Sequence, residues 1–220
     1  MTVTLDDYRS VSPAGAVDIL RRMSEKLRGR TLLQVNASRV TGGVAEILQR
    51  HVPLLQELGI DARWETIEGG EGFEAACLAF YNTLQGEEQR ISEEMLQEYV
   101  ATNRRNAQAL SLAGDVVVIH DPQPAPLVDF RPQAGKWVWR CHLDIARPQR
   151  KVWAFLRQFV VKYDAAVFSL PKFAQRLPIP QFLIYPSIDP LSDKNRELSE
   201  REIAAVLDRL EIPRDKPILL

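Results

Sequence analysis

Two of the three histidines in the chain, His120 and His142, follow short apolar runs, and each has an aspartate, Asp121 or Asp144, one or two residues further on. If the runs are parallel strands, their polar ends meet at the edge of the sheet where open α/β folds bind ligands. Convergent imidazole and carboxylate groups at such an edge are the default candidates for a site. The alternative is that each histidine is only a strand-end residue that caps the loop after it. The third histidine, His51, falls inside a helical pattern and is interpreted as an ordinary helix residue.

A second chemical candidate is the glycine pair Gly42-Gly43, which separates an apolar run from a helical pattern within Thr31–Gly59. Glycine has no Cβ, so a ligand can approach bare backbone N–H groups there. At a helix N-terminus those groups and the helix dipole favour an anion such as phosphate. A tight turn without a ligand is the alternative. The pair is not a GxGxxG dinucleotide motif, although Glu65 lies where a ribose-binding acid would follow a second strand.

Strand and helix patterns alternate along the chain and position these residues. The alternation predicts the α/β fold class, doubly wound around a mostly parallel sheet. Predicted strands run from Leu32 to Asn36 and over Ala62–Ile67, Asp115–His120, Lys136–His142, Ala165–Ser169 and Phe182–Tyr185. Predicted helices cover Ser12–Leu27, the segment from Val44 to Leu58, Phe73–Leu84, Ser92–Leu110, a segment opening at Pro148, and Ser199–Leu210.

Composition and charge exclude several classes of protein. The chain has 220 residues and is 45% hydrophobic, which is enough for a substantial core. A net charge of −1 gives no electrostatic reason to expect nucleic acid or an anionic membrane as a partner. No apolar run reaches the roughly 18 residues of a membrane helix, and no signal peptide is visible. Cys77 and Cys141 lie far apart, which favours a reduced, cytoplasmic protein, and no metal-ligand cluster or cofactor motif is present.

The C-terminal residues Pro213–Leu220 have the pattern of a linker followed by the start of a new strand. We therefore expect a domain over residues 1–212, with residues 213–220 leading into a C-terminal domain that the chain does not contain.

Five segments in order along the chain carry a family resemblance. They are VNASRVTGGVAEIL, FYNTLQG, HDPQPAPL, WRCHLD and PSIDPLSDKN. Together they resemble the N-terminal half of the trehalose glycosyltransferring synthases, which are retaining glycosyltransferases of the GT-B architecture. The resemblance implies a Rossmann-like domain that binds an acceptor sugar, glucose, across a cleft from a missing C-terminal domain that holds a nucleoside-diphosphate glucose (NDP-glucose) donor.

The resemblance also implies roles for individual residues. Gly42 and Gly43 match the loop that approaches the donor diphosphate. Asp121 matches an acidic residue that binds the acceptor glucose, and His142 matches a histidine beside the donor sugar and the reacting centre. These two are the expected catalytic residues.

Four further residues join the expected substrate-binding set. Arg140 and Asp144 flank His142 and are expected to contact acceptor hydroxyls. His120 and Gln123 belong to the same group of polar residues after the DVVVI strand. No metal ion is expected to take part in the chemistry.

Alternatives remain open at this point. A trehalose phosphorylase domain, in which phosphate replaces the nucleotide, fits the same segments, and so does a non-catalytic sugar-binding module. The chain has Thr41 where the family pattern has a third glycine, and Tyr81-Asn82 where the pattern has His-Asn. These departures concern acceptor preference more than the reaction class. The sequence does not determine which nucleotide the donor carries. It also leaves open whether the protein forms a homodimer.

Overall fold

Six parallel strands form a single sheet, as the sequence predicts. The computed structural model describes residues 3–214 and 217–218. The strands are β1 (Thr31–Asn36), β2 (Asp61–Thr66), β3 (Val116–His120), β4 (Lys136–Cys141), β5 (Ala165–Phe168) and β6 (Gln181–Leu183). Every neighbouring pair is parallel, so the doubly wound, Rossmann-like α/β class is confirmed and the sheet is parallel throughout.

The described residues form six α-helices. They are α1 (Ala16–Ser24), α2 (Gly43–Glu57), α3 (Glu71–Leu84), α4 (Glu93–Ala109), α5 (Arg150–Val160) and α6 (Glu200–Arg209). Two helices begin at serine caps: Ser92 accepts a hydrogen bond from the N–H of Met95, and Ser199 forms a capping box with Glu202. None of the described helices combines the length and the apolar character that crossing a membrane requires.

The strand order is β2-β1-β3-β4-β5-β6, so β1 has β2 on one side and β3 on the other. The chain direction across the sheet reverses at β1. Ligands of doubly wound sheets bind beyond the carboxyl ends of the strands at such a reversal. The end of β1 leads into the glycine pair before α2, and β3 ends at His120. The topology therefore places both chemical candidates of the sequence at the same edge.

The two faces of the sheet carry hydrophobic cores of different size. Helices α3, α4 and α5 cover one face over a large core in which Tyr99, Trp137 and Trp139 are completely buried. On the other face α2 covers a small cluster, formed by Leu48, Val52, Ile60 and Ala62. Burial of an aliphatic side chain contributes roughly 1.5–3 kcal/mol, so this cluster is sufficient to hold α2 with its N-terminus at the candidate edge.

Two predictions about helices are wrong. The first helix begins at Ala16 rather than at Ser12, because Gly15 adopts a left-handed conformation with φ of 80° that interrupts the helix. Its predicted apolar stripe is largely exposed, including Met23 at 65%. In α2, Ile47 is exposed while Ala45 is buried, so the buried face is rotated from the one predicted.

The predicted start of a new strand after Pro213 includes residues 215–216 and 219–220, which lie outside the described residues. Three short 3-10 helices were not predicted; one of them, Ala125–Phe130, follows the candidate edge and packs against α4 and α5.

Candidate functional site

His120 and His142 meet at the carboxyl edge of the sheet, as the strand-end pattern predicts. Nδ1 of His120 lies 3.0 Å from Nε2 of His142. The two rings are nearly parallel, with centroids 5.3 Å apart and an interplanar angle of 19°. The register of the sheet explains the contact, because His120 at the end of β3 is paired with Arg140 of β4, two residues before His142.

A buried glutamine, Gln34, joins this pair from the neighbouring strand. Its side-chain amide lies 2.8 Å from Nε2 of His120, and the two side chains are 3% and 4% exposed. Both ring nitrogens of His120 are therefore engaged by protein groups, and little of this ring is accessible to a ligand. Gln34 was missed in the sequence, although one polar residue within the run LLQV was a signal that the strand carries a functional group.

Arg140 adds a positive charge beside His142. Its Nε lies 3.2 Å from Nε2 of His142 and donates a hydrogen bond to it. Burial and this charge together lower the pKa of His142 to about 4, so its ring is neutral near pH 7. The pKa of His120 is lowered well below its usual value, first by burial and then by His142 and Arg140. The site therefore contains two neutral imidazoles beside one fixed cation.

Asp121 occupies a strained position at the start of the turn after β3. Its φ of 64° lies in the left-handed region, which aspartate tolerates better than most residues. Three hydrogen bonds hold it there: its N–H donates to the carbonyl of Arg140 (2.8 Å), its own carbonyl accepts from Nε1 of Trp139 (3.0 Å), and Oδ1 accepts from the backbone N–H of His142 (2.7 Å). Strained backbone conformations of this kind cluster at functional sites, where a side chain must be held in one orientation.

The carboxylate of Asp121 keeps one oxygen for a ligand, because Oδ2 has no hydrogen-bond partner among the described residues. Loss of water around the group raises the pKa of Asp121 to about 7, against the lowering effects of the His142 N–H and of Arg140. An acid with this pKa is partly ionised near neutral pH and can accept a hydrogen bond from a sugar hydroxyl or give up a proton.

The turn that follows Asp121 is tied to helix α4. The hydroxyl of Tyr99 donates to the carbonyl of Pro122, and Nδ2 of Asn103 donates to the carbonyl of Gln123 at 3.0 Å. Gln123 is thus placed by its backbone, with its side chain half-buried at the same edge. These hydrogen bonds hold the turn after Asp121 against α4 and so help to keep Asp121 in its strained conformation.

The glycine pair lies at the start of α2, as predicted. Gly42 has φ of 91°, a conformation that favours glycine, and Gly43 is the first helical residue. A Cβ added to either residue would meet no protein atom within 4 Å, so the space in front of the backbone is open. The first N–H groups of a helix have no partner within the helix.

The loop between β1 and the glycine pair is braced from β2. Asn36 accepts a 2.8 Å hydrogen bond from Nε1 of Trp64 and donates from Nδ2 to the carbonyl of Ser38. The Arg39 guanidinium stacks over the Trp64 ring, 4.8 Å from its centroid. Oγ of Ser38 accepts hydrogen bonds from the N–H groups of two loop residues that follow it. The loop that presents the glycines is therefore ordered by its own contacts.

Asp144 stands apart from the other candidates. It is exposed, Oδ1 accepts the N–H of Ala146 at 3.0 Å, and Oδ2 lies 3.6 Å from Nζ of Lys172. The structure thus joins Gln34, His120, Asp121, Arg140 and His142 and leaves Asp144 outside this cluster. Two open depressions, of about 490 and 600 Å³, are lined by other parts of the chain. Among the described residues, no three His, Cys, Asp or Glu side chains are arranged to hold a metal ion.

Comparison with known proteins gives one consistent family. A family model described as the N-terminal domain of trehalose synthase matches residues 34–175, a range that includes Gln34 and all the candidate site residues. The chain is 44% identical over 219 residues to the trehalose synthases of Pyrococcus horikoshii and Thermococcus litoralis, covering 98% of this chain and 53% of each relative. It is 37% identical over 224 residues to the trehalose synthase of Rubrobacter xylanophilus, covering 98% and 54%. The chain spans about half the length of the curated relatives that it matches.

Proposed function

The chain belongs to the family of trehalose synthase N-terminal domains, and on this premise we propose that it is the acceptor-binding half of a retaining glucosyltransferase that makes trehalose from NDP-glucose and glucose. Residues 1–212 form the acceptor domain, and residues 213–220 lead into a C-terminal domain that holds most of the donor. The two halves face each other across a cleft in the GT-B manner.

The observation that carries the proposal is the Asp121–His142 pair at the carboxyl ends of β3 and β4, next to the reversal of the sheet at β1. Asp121 has one carboxylate oxygen fixed by the N–H of His142 and the other free. A free carboxylate oxygen is a strong acceptor for a sugar hydroxyl. We assign it to the acceptor glucose, and we place His142 beside the donor sugar, where its neutral ring donates a hydrogen bond without adding a charge.

The glycine pair completes the proposed geometry. The open N–H groups at the start of α2 are suited to the diphosphate of the donor, whose negative charge grows as the bond to glucose breaks. In the transfer, the bond between the glucose C1 and the diphosphate oxygen breaks and a bond from C1 to the acceptor oxygen forms. The acceptor proton leaves with the diphosphate on the same face of the sugar. The protein orients both substrates and stabilises charge, and it supplies no nucleophile.

The remaining expected binding residues take supporting places in this proposal. Arg140 is half-buried beside His142 and provides positive charge near the reacting centre, and Gln123 lies at the edge next to Asp121. Asp144 has to release Lys172 or bind through its exposed side if it contacts the acceptor. His120 is too enclosed for direct contact, and its part is treated below.

The test is an assay of the full-length protein that carries this chain, supplied with NDP-glucose and glucose. Trehalose with retained configuration at the donor carbon is the expected product. Trehalose cleavage with inorganic phosphate, without any use of NDP-glucose, would favour a phosphorylase instead. If calorimetry shows that glucose binds but neither reaction occurs, the domain is a non-catalytic sugar-binding module.

A further inference from the structure

We propose that Gln34 and His120 are positioning residues that hold the neutral His142 ring with its proton on Nδ1, directed at the ligand. The catalytic meaning of this inference rests on the proposed function, whereas the placement of the proton does not. The argument uses four side chains that hydrogen-bond in series, Gln34, His120, His142 and Arg140.

The first step concerns Arg140, which fixes the direction of the series. A guanidinium is always protonated, and its Nε can only donate a hydrogen bond. Its N–H is directed at Nε2 of His142, at 3.2 Å. Nε2 of His142 therefore carries a lone pair, and a neutral ring must then carry its proton on Nδ1.

The second step concerns His120. Its Nδ1 lies 3.0 Å from the same Nε2 of His142, which is already an acceptor. Nδ1 of His120 must therefore carry a proton and donate it to this hydrogen bond. A neutral His120 ring then has its lone pair on Nε2, which faces Gln34.

The third step concerns the amide of Gln34. Its oxygen is placed 2.8 Å from Nε2 of His120, and a half-turn of the amide puts the NH₂ group at the same position. A lone pair on Nε2 requires a donor there, so the NH₂ group is the end that faces His120. Nε–H of Arg140 and Nδ1–H of His120 then share the lone pair on Nε2 of His142, the NH₂ group of Gln34 donates to His120, and no donor of the four groups faces another donor.

The burial of Gln34 and His120 gives this arrangement its energetic weight. Both are less than 5% exposed, so water cannot replace a lost partner. A buried polar group that loses its partner is strongly destabilising, which disfavours the reversed series. His142 lies at the accessible end, where Nδ1 has no partner among the described residues. The outcome is one fixed N–H donor at the site, set by Arg140 and stabilised through His120 by a residue on β1 that the ligand does not touch.

The decisive measurement is the ¹⁵N NMR spectrum of the three histidine rings in the 220-residue chain. We expect His142 to show a protonated Nδ1 and a bare Nε2, and His120 to show the same form, with a protonated Nδ1 and a bare Nε2. A wild-type spectrum with the proton of His142 on Nε2 would overturn the inference without any variant being made.

The variant Gln34→Met tests the role of the glutamine, since methionine keeps the length of the side chain and removes its hydrogen bonds. His120 then has no donor facing its Nε2 and can carry its proton there, so only the Arg140 hydrogen bond still holds the series, and we expect a second ring form to become detectable at His142. The matched control is Gln56→Met, because Nε2 of Gln56 also donates to a partner within the fold, the carbonyl of Ala62 at 2.7 Å, away from the histidines. Unchanged ring forms in Gln34→Met, with folding intact, would remove Gln34 from this role.

Kinetics of the full-length protein separate this inference from the proposed function. Gln34→Met is expected to lower kcat by about 10-fold or more, as loss of a positioning hydrogen bond commonly does, while the KM for glucose changes little. If the ring forms respond as stated but the wild-type protein transfers no glucose, the proposed function fails and the positioning stands. If transfer occurs and Gln34→Met matches Gln56→Met in kcat, the positioning role fails and the proposed function stands.

Discussion

Asp121 accepts a 2.7 Å hydrogen bond on Oδ1 from the backbone N–H of His142, so the end of β3 holds the end of β4. The same strand has a counterpart at its opposite end, where Asp115 accepts the N–H of Thr31 at 2.9 Å. The two aspartates thus make similar bonds at opposite edges of one sheet. Only Asp121 has a raised pKa and lies beside a cluster of buried polar side chains.

This symmetry gives a matched test of function. In the full-length protein, Asp121→Asn should lower kcat/KM for trehalose formation by about 10²-fold or more, a loss of roughly 2.7 kcal/mol of transition-state stabilisation. Asparagine keeps the bond to the His142 N–H and removes the charge that faces the acceptor. Asp115→Asn is the control, and its kcat/KM should stay near the wild-type value. Equal activities of the two variants would remove Asp121 from the site.

Asp121 also makes stability depend on pH. Its pKa is about 7 in the folded chain, above its ordinary value of 3.8, so the unfolded chain loses this proton first as the pH rises. The group therefore lowers the free energy of unfolding progressively from about pH 4 to pH 7, with a limiting slope of about 1.4 kcal/mol per pH unit. Asp121→Asn removes this effect and tolerates the left-handed backbone. Urea unfolding should show equal stabilities near pH 4 and a more stable variant at pH 8, whereas a difference that does not vary with pH would contradict the raised pKa.

His142 should behave in the opposite way. Its pKa is lowered to about 4, so the folded chain keeps the ring neutral while the unfolded chain takes up a proton near its usual pKa of 6.5. The stability that this ring contributes is present above pH 6.5 and is lost as the pH falls toward 4. In an NMR titration, we expect the ¹⁵N shifts of the two His142 ring nitrogens to show no protonation of the ring from pH 8 to about pH 5, apart from small changes as Asp121 ionises. A midpoint near 6.5 would mean that the ring is freely hydrated in the folded chain.

The sequence predicts the strands of this fold well because most of them contain a short apolar run, such as the one in β3. The run VVVI before His120 is typical of a parallel strand with both faces covered, and its end marks the edge where the site lies. His142 and the glycine pair are found in the same way, from the places where apolar runs stop. Positions set by local chemistry are therefore visible without a structure.

The parts that the sequence does not predict depend on contacts between distant segments. Nothing local to Gln34 indicates that its amide meets His120, 86 residues further on, because the pairing of β1 with β3 creates that contact. The left-handed backbone of Asp121 depends on bonds from β4. The early turn at Gly15 replaces a start at Ser12 that local capping rules favour. Tertiary structure decides between such local choices.

The glycine loop gives a test that separates donor from acceptor. Gly43→Val adds a side chain where a Cβ meets no protein atom, so the fold should tolerate it, yet the branched group covers the N–H groups proposed for the diphosphate. We expect the KM for NDP-glucose to rise by about 10-fold or more, a loss of roughly 1.4 kcal/mol of binding, with a smaller change for glucose. Gly70→Val is the control, because Gly70 precedes α3 with equally open space and no proposed ligand. Equal losses for both substrates would indicate general damage to the loop instead.

The last prediction is that the 220-residue chain folds alone and binds glucose weakly but does not form trehalose. The core under α3, α4 and α5 belongs entirely to this chain, and its largest side chains, such as Trp137 and Trp139, are completely buried, which supports independent folding. The proposed acceptor contacts at Asp121 are also present. Transfer in addition requires a donor held in reach of the acceptor, a contribution of as much as ~7–11 kcal/mol that one open edge of a sheet does not provide. The relatives that it matches are about twice as long, which suits a second half that holds the donor.

The measurement is a cooperative unfolding transition, a glucose titration, and an assay with NDP-glucose and glucose. Turnover at the rate of the full-length protein would show that this domain needs no second half.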